Sequence, residues 1–206
     1  MNGLLISASA LLDRHLRLRQ QPQTRVDEIV ELRRRLRAAP LEAPAAEVEL
    51  AQRMRELRLR LSALVGEVQS CRTCAIGHPP PHGRFQGGHC CGLRTEDAFN
   101  DDELAALKLA GTAPDDLRPP RPSDHAGCSF RGPTGCSLQV PDRPNLCLRY
   151  LCPDLTRELA RRDPQNLAEI DAVNAELEAL YLTFIQRRAA RAPDDLDAID
   201  AMLERP

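Results

Sequence analysis

Tryptophan is absent from this chain of 206 residues, and four Phe and two Tyr are its only aromatics. A β-sandwich core normally recruits aromatic and β-branched side chains, so that scarcity points to helices packed through Leu and Ala. Lysine is almost absent too: Lys108 is the only one, and the remaining positive side chains are arginines. The formal net charge of −2 offers nucleic acid no overall attraction. No stretch approaches the roughly 20 apolar residues of a membrane-spanning helix. The short apolar run Leu4–Leu12 has no basic segment before it and meets Asp13, Arg14 and His15 directly. It reads as part of an amphipathic first helix, not as a secretion signal. The expectation is a cytoplasmic chain, kept reduced, with no membrane partner. A nucleophile–base pair and a phosphate-binding glycine loop are also lacking, so no catalytic residue is assigned.

What is present organises into three segments. Residues 1–70 read as helices. Thr24 and Asp27 form a start resembling a capping box, and Val26, Ile29, Val30 and Leu36 make a stripe that ends before Pro40. Leu50, Met54, Leu57, Leu61, Leu64 and Val68 then repeat as a heptad-like seam. The next seam position would be Cys71, so the helix is expected to deliver the chain into the cysteine region. The seam suits an intramolecular helical hairpin, with a homodimer or a helix-mediated protein partner as the alternative. Residues 71–152 are rich in Gly and Pro and read as loops, without β-strands, interrupted by one helix between Asn100 and Gly111, which Asn100 or Asp101 can cap and whose start suits the acids Asp101, Asp102 and Glu103. Residues 153–206 return to helix: Asp163-Pro164 supplies a cap and a first-turn proline, and Ile170, Val173, Leu177, Leu180 and Phe184 form a second stripe. A short terminal helix with Leu196, Ile199 and Leu203 is expected after Pro193. The arginines of "ELRRRLR" and "RMRELRLRL" are interleaved with leucines and glutamates, which reads as a solvated helix face and not as a nucleic-acid surface.

All eight cysteines fall in the middle segment. Cys71, Cys74, Cys90 and Cys91 form one group of four; Cys128, Cys136, Cys147 and Cys152 form the other. Cysteines serving only as small core hydrophobes would scatter through the helical seams. Three chemistries compete. Two fours of thiolates suit zinc at Zn–S distances of ~2.3 Å, or Fe–S clusters. Disulfides need an oxidising compartment, and a C-x-x-C redox motif needs a βαβ context that is missing here. Metal is the favoured reading. His89, beside Cys90, is a candidate additional ligand; His78, His82 and His125 read as solvated loop residues. Arg72, Arg94, Arg131, Arg143 and Arg149 lie near cysteines in sequence, where cations would offset the negative charge of a thiolate site.

The stretch "CSFRGPTGCSLQVPDRPNLCLRYLC" resembles the C-terminal signature of the YkgJ-type cysteine-cluster proteins. Cys128, Phe130, Gly135, Cys136, Leu138, Arg143-Pro144, Cys147, Tyr150 and Cys152 occupy the places of that signature. Cys71, Cys74, Cys90, Cys91 and the Asn100–Gly111 helix follow the order of its other half. The resemblance covers residues 71–152 and implies a zinc- or iron-chelating domain with all eight cysteines as ligands. It departs in one place: the stretch containing "GHPPPHGRFQGG" separates Cys74 from Cys90, where the family has only a few residues. The resulting expectation is a mostly α-helical protein with a cysteine-rich, loop-dominated metal-binding centre flanked by helices. Zinc, iron or an Fe–S cluster is its cofactor. A helical adaptor with a purely structural metal, and a metal-dependent enzyme, are the alternatives. Arg143-Pro144 is expected to fix a turn between ligands.

Overall fold

The structure is a computed structural model that describes residues 23–70, 95–120, 128–132 and 135–191. The expected first helix, the expected terminal helix and the "GHPPPHGRFQGG" stretch lie outside the described residues. Helix dominates what is described. In order come α1 (Gln23–Ala38), α2 (Ala45–Val65), α3 (Thr95–Ala98) and α4 (Asp101–Leu109). A 3₁₀ turn (Pro114–Asp116), the short strands β1 (Arg131–Gly132) and β2 (Gly135–Cys136), and a second 3₁₀ turn (Val140–Asp142) follow. The chain then forms α5 (Asn145–Arg149), α6 (Pro153–Arg162) and α7 (Pro164–Arg191).

The seam of α2 is used within the chain. Met54, Leu57 and Leu61 are buried in one cluster with Ile170, Val173, Leu177 and Phe184 of α7, and Leu50, Leu64 and Val68 pack at its margin. Heptad-spaced apolar side chains present a stripe on one face of each helix, and here the two stripes cover each other. The partner of the α2 seam is thus α7, far along the chain, and not the neighbouring α1. The helix also stops short of the cysteine region. It ends at Val65, and Gly66 takes φ 59° and ψ −157°, a conformation essentially confined to glycine. The Arg162 side chain donates to the carbonyls of Leu64, Val65 and Glu67 at 3.2, 2.5 and 3.1 Å. Asn166 Nδ2 adds a bond to Leu64 O at 2.8 Å. These donors occupy the carbonyls that a helix end leaves bare, so the seam is cut six residues before Cys71.

The start of α7 follows the expected chemistry, with Asp163 Oδ1 accepting the N–H groups of Gln165 and Asn166 at 3.0 and 3.2 Å. At α1 the outcome differs. Ile29, Leu32 and Leu36 are buried while Val26 and Val30 are 52% and 59% exposed. Thr24 lies within the helix Gln23–Ala38 and not at a cap. Leu32 takes the place expected of the valines because the 29–32–36 spacing aligns with Phe99, Leu104 and Leu117 in a second cluster. The lone lysine closes this helix: Lys108 Nζ donates to Arg37 O at 2.6 Å and to Ala39 O.

Between the two clusters lies α4. Residues 103–107 are buried consecutively, so this helix is covered all round. Ala105, Ala106 and Leu109 face the first cluster; Leu104 and Leu107 face the second. A helix this enclosed is a core element, whereas its sequence suggested an interruption among loops. Of the two caps open to it, Asn100 is the one used: its Oδ1 accepts the Glu103 N–H at 2.8 Å, and Asp101 is already helical. The β-pair was not expected. Arg131 faces Cys136 and Gly132 faces Gly135 in an antiparallel ladder, too short to leave a period-2 signal. Ser137 N donates to Phe130 O at 2.8 Å and extends it by one bond.

Candidate metal centre

The four cysteines of the second group occupy different kinds of position. Cys128 is buried in the second cluster with Phe99 and Phe130, whose rings meet tilted at 5.6 Å between centroids. Cys136 ends β2 and is exposed. Cys147 lies in the middle of α5, half-buried against the same cluster as Cys128. Cys152 caps α6. Its Sγ accepts the Leu155 N–H at 3.4 Å, Pro153 supplies the first turn, and the side chain packs against the first cluster. Cys128 and Cys147 therefore share one cluster, Cys152 lies against the other, and Cys136 faces outward. Among the described residues, no three His, Cys, Asp or Glu side chains come close enough to hold a metal ion. Cys71, Cys74, Cys90, Cys91 and His89, with His78, His82 and His125, lie outside the described residues.

The chain on either side of the cysteines is gripped by carboxylates of the helical frame. Glu28 on α1 accepts from Thr95 Oγ1 at 3.0 Å and from Ser129 Oγ at 2.5 Å. Thr95 Oγ1 in turn accepts the Ser129 N–H at 3.0 Å. One carboxylate thereby joins the residue following Cys128 to a residue four places after Cys91. Glu158 on α6 accepts the N–H groups of Gln69 and Ser70 at 2.6 and 2.7 Å, fixing the chain immediately before Cys71. Past the second strand, Arg143 Nε donates to Leu138 O at 3.0 Å. That bond closes the bend between Cys136 and Cys147, the turn-fixing part expected of Arg143-Pro144. Arg149 pairs with Glu178 of α7 at 2.6 Å.

The segment carrying Cys147 is held from inside. Thr112 Oγ1 donates to Asp142 Oδ1 at 2.8 Å. Glu103 Oε1 accepts the Asn145 N–H at 3.0 Å. Arg58 Nη1 reaches Asn145 Oδ1 at 3.3 Å and lies 3.6 Å from Glu103 Oε1. Arg58 and Glu103 are 0% and 2% exposed. Burial pushes the Glu103 carboxyl up to about 7, against the opposing pull of the Asn145 N–H and Arg58. Burial likewise draws the Arg58 guanidinium below its ordinary value, with Glu103 acting in the other direction. Desolvation dominates on both sides of this pair. Tyr181 is shifted upward by burial and by Glu103; its hydroxyl bonds Asn100 Oδ1 at 3.1 Å.

Arg58 corrects the sequence reading, in which the arginines of "RMRELRLRL" were a solvated face. It borders the seam between Leu57 and Leu61, and the second 3₁₀ turn and α5 both pack on α2. Glu103 was legible only as an acid suited to a helix start. Its burial depends on α4 being covered on all sides, which no local pattern of one acid reveals. Glu28 and Glu158 carried no distinguishing signal, because their partners are close only in the folded chain.

The chain matches no family model, and neither the curated proteins nor the solved structures give a match.

Proposed function

We propose that this chain is a metal-binding protein whose cysteine-rich centre, flanked by helices, chelates zinc or iron, the latter as ions or as an Fe–S cluster. The proposed ligands are Cys71, Cys74, Cys90, Cys91, Cys128, Cys136, Cys147 and Cys152, with His89 as a candidate addition. The observation that carries the reading is the confinement of all eight cysteines to the stretch from Cys71 to Cys152, while the α2–α7 core is built without any from the helices themselves. The resemblance to the YkgJ-type cysteine-cluster proteins supports it. Thiolates suit zinc, soft metals and Fe–S clusters better than they suit hard cations. A cytoplasmic location belongs to the same proposal, since thiolate ligands must be kept reduced.

The Glu28–Thr95–Ser129 junction supports a centre that draws on both groups, because it draws together the chain following Cys91 and the chain following Cys128. The test is elemental analysis of protein purified without oxygen, together with its ultraviolet–visible spectrum. About two zinc ions per chain and no visible absorbance indicate closed thiolate sites. Iron with sulfide and a brown colour indicates an Fe–S cluster. Protein that holds no metal after expression in metal-replete medium, with its cysteines verified as thiols, overturns the proposal.

A further inference from the structure

We infer that Arg58 and Glu103 are positioning residues for the Cys147 thiolate, acting through Asn145; this rests on the metal reading above. Asn145 is the first residue of α5, a helix of five residues. So short a helix has no cooperative stability of its own, and its direction must come from whatever anchors it. Every polar group of Asn145 that could serve as an anchor is engaged by the frame. Its N–H goes to Glu103 Oε1 at 3.0 Å, its Oδ1 takes Arg58 Nη1 at 3.3 Å, and its Nδ2 faces Met54 Sδ at 3.6 Å. Asn145 is 1% exposed. Cys147 follows two residues later, and its own N–H donates to Pro144 O at 3.0 Å. The sulfur is therefore referenced to the same corner of α2 and α4 that holds Asn145.

Stability alone gives no good account of the pair. The charges are 3.6 Å apart and fully buried, and Arg58 Nε and Nη2 find no hydrogen-bond partner among the described residues. A buried ion pair with unsatisfied donors is commonly no more stable than a well-packed apolar substitute. What the pair does supply is a fixed orientation for Asn145, and thiolate coordination tolerates only a few tenths of an ångström in ligand placement.

The experiment is a titration of the reduced, metal-free full chain with cobalt(II) under nitrogen, reading the thiolate-to-cobalt charge-transfer band in the near ultraviolet. Far-ultraviolet circular dichroism is recorded for every variant. Cys147→Ser lowers the band if the underlying metal reading holds. Glu103→Leu removes the acceptor of the Asn145 N–H, and Asn145→Ala removes the side chain that Arg58 holds. Each is expected to weaken cobalt binding by about tenfold or more, the size typical of losing a ligand-orienting partner, with helix content retained. Glu103→Gln keeps an acceptor oxygen and is expected to stay close to the wild type. Should Glu103→Leu fail to fold, Asn145→Ala carries the test, because the backbone bond to Glu103 survives in it. Unchanged affinity in folded Asn145→Ala overturns the inference while leaving the metal reading in place, and so does a Glu103→Gln loss equal to that of Glu103→Leu. A wild-type chain without the band removes both.

Discussion

Burial takes Glu103 well away from its solution behaviour. Its carboxyl is raised from 4.5 to about 7, chiefly by burial, and it faces Arg58 of α2, Arg149 of α5 and Tyr181 of α7. A carboxyl raised on folding contributes stability that is fully present below its ordinary value and is lost as pH rises through about 7. The difference in urea midpoint between wild type and Glu103→Gln is therefore expected to move against the wild type between pH 5 and pH 8. A constant difference across that range contradicts the assignment. At Lys108 the logic is simpler. Its ammonium serves the carbonyls of Arg37 and Ala39, so Lys108→Met leaves the end of α1 without donors. A loss of about 1.5–3 kcal/mol in denaturant unfolding is expected, the range for hydrogen bonds involving a charged group.

Among the elements, the junction after α2 decides how the chain approaches the first cysteines. Gly66 is not a matter of space, since a Cβ there would meet nothing closer than 3.8 Å. The backbone conformation itself excludes other residues, so Gly66→Ala is expected to cost about 1–3 kcal/mol by equilibrium unfolding, while Ala63→Gly, in the exposed last turn of α2, costs less. The α2–α7 pair carries the larger share of apolar burial. Phe184 is fully buried in their shared cluster, with Arg188 placed over its ring at 5.7 Å. Phe184→Ala is expected to cost about 3–5 kcal/mol, read as a fall in thermal midpoint. These two elements were readable from spacing alone because each obeys a 3-4 alternation. Leu32 and the β-pair escaped that reading: one stripe on α1 had two plausible faces, and a ladder of two residues has no period.

At the scale of the whole molecule, helices from the start and end of the described chain build two clusters against which Cys128, Cys147 and Cys152 lie, while Cys136 is exposed. Among the described residues no helix is long and apolar enough to cross a membrane. The first cluster joins α2, α4, α6 and α7; the second joins α1, α4 and the chain around Cys128. If metal thiolates complete the centre, removing them acts unequally on these two parts. Strong chelation at neutral pH is expected to open the chain around the cysteines to limited proteolysis, while α4 stays in the core and most of the helical circular dichroism persists. Unchanged protease resistance after verified metal removal contradicts this. Loss of all helical signal in one transition would mean instead that the α2–α7 core depends on the metal.

Local rules along the chain sufficed for the helical class, the α2 and α7 stripes, the cap at Asp163, a cap at Asn100 or Asp101, and the grouping of the cysteines. Each rests on a local rule: apolar side chains recur at the helical period, a short polar side chain accepts the first N–H groups, and the spacing of the cysteines is written along the chain. The pairing of α2 with α7, the enclosure of α4 and the burial of Arg58 beside Glu103 emerge only in the folded chain. Those outcomes depend on which faces meet across long separations. A buried charge in particular looks like a surface charge until the opposite wall of the core is in place.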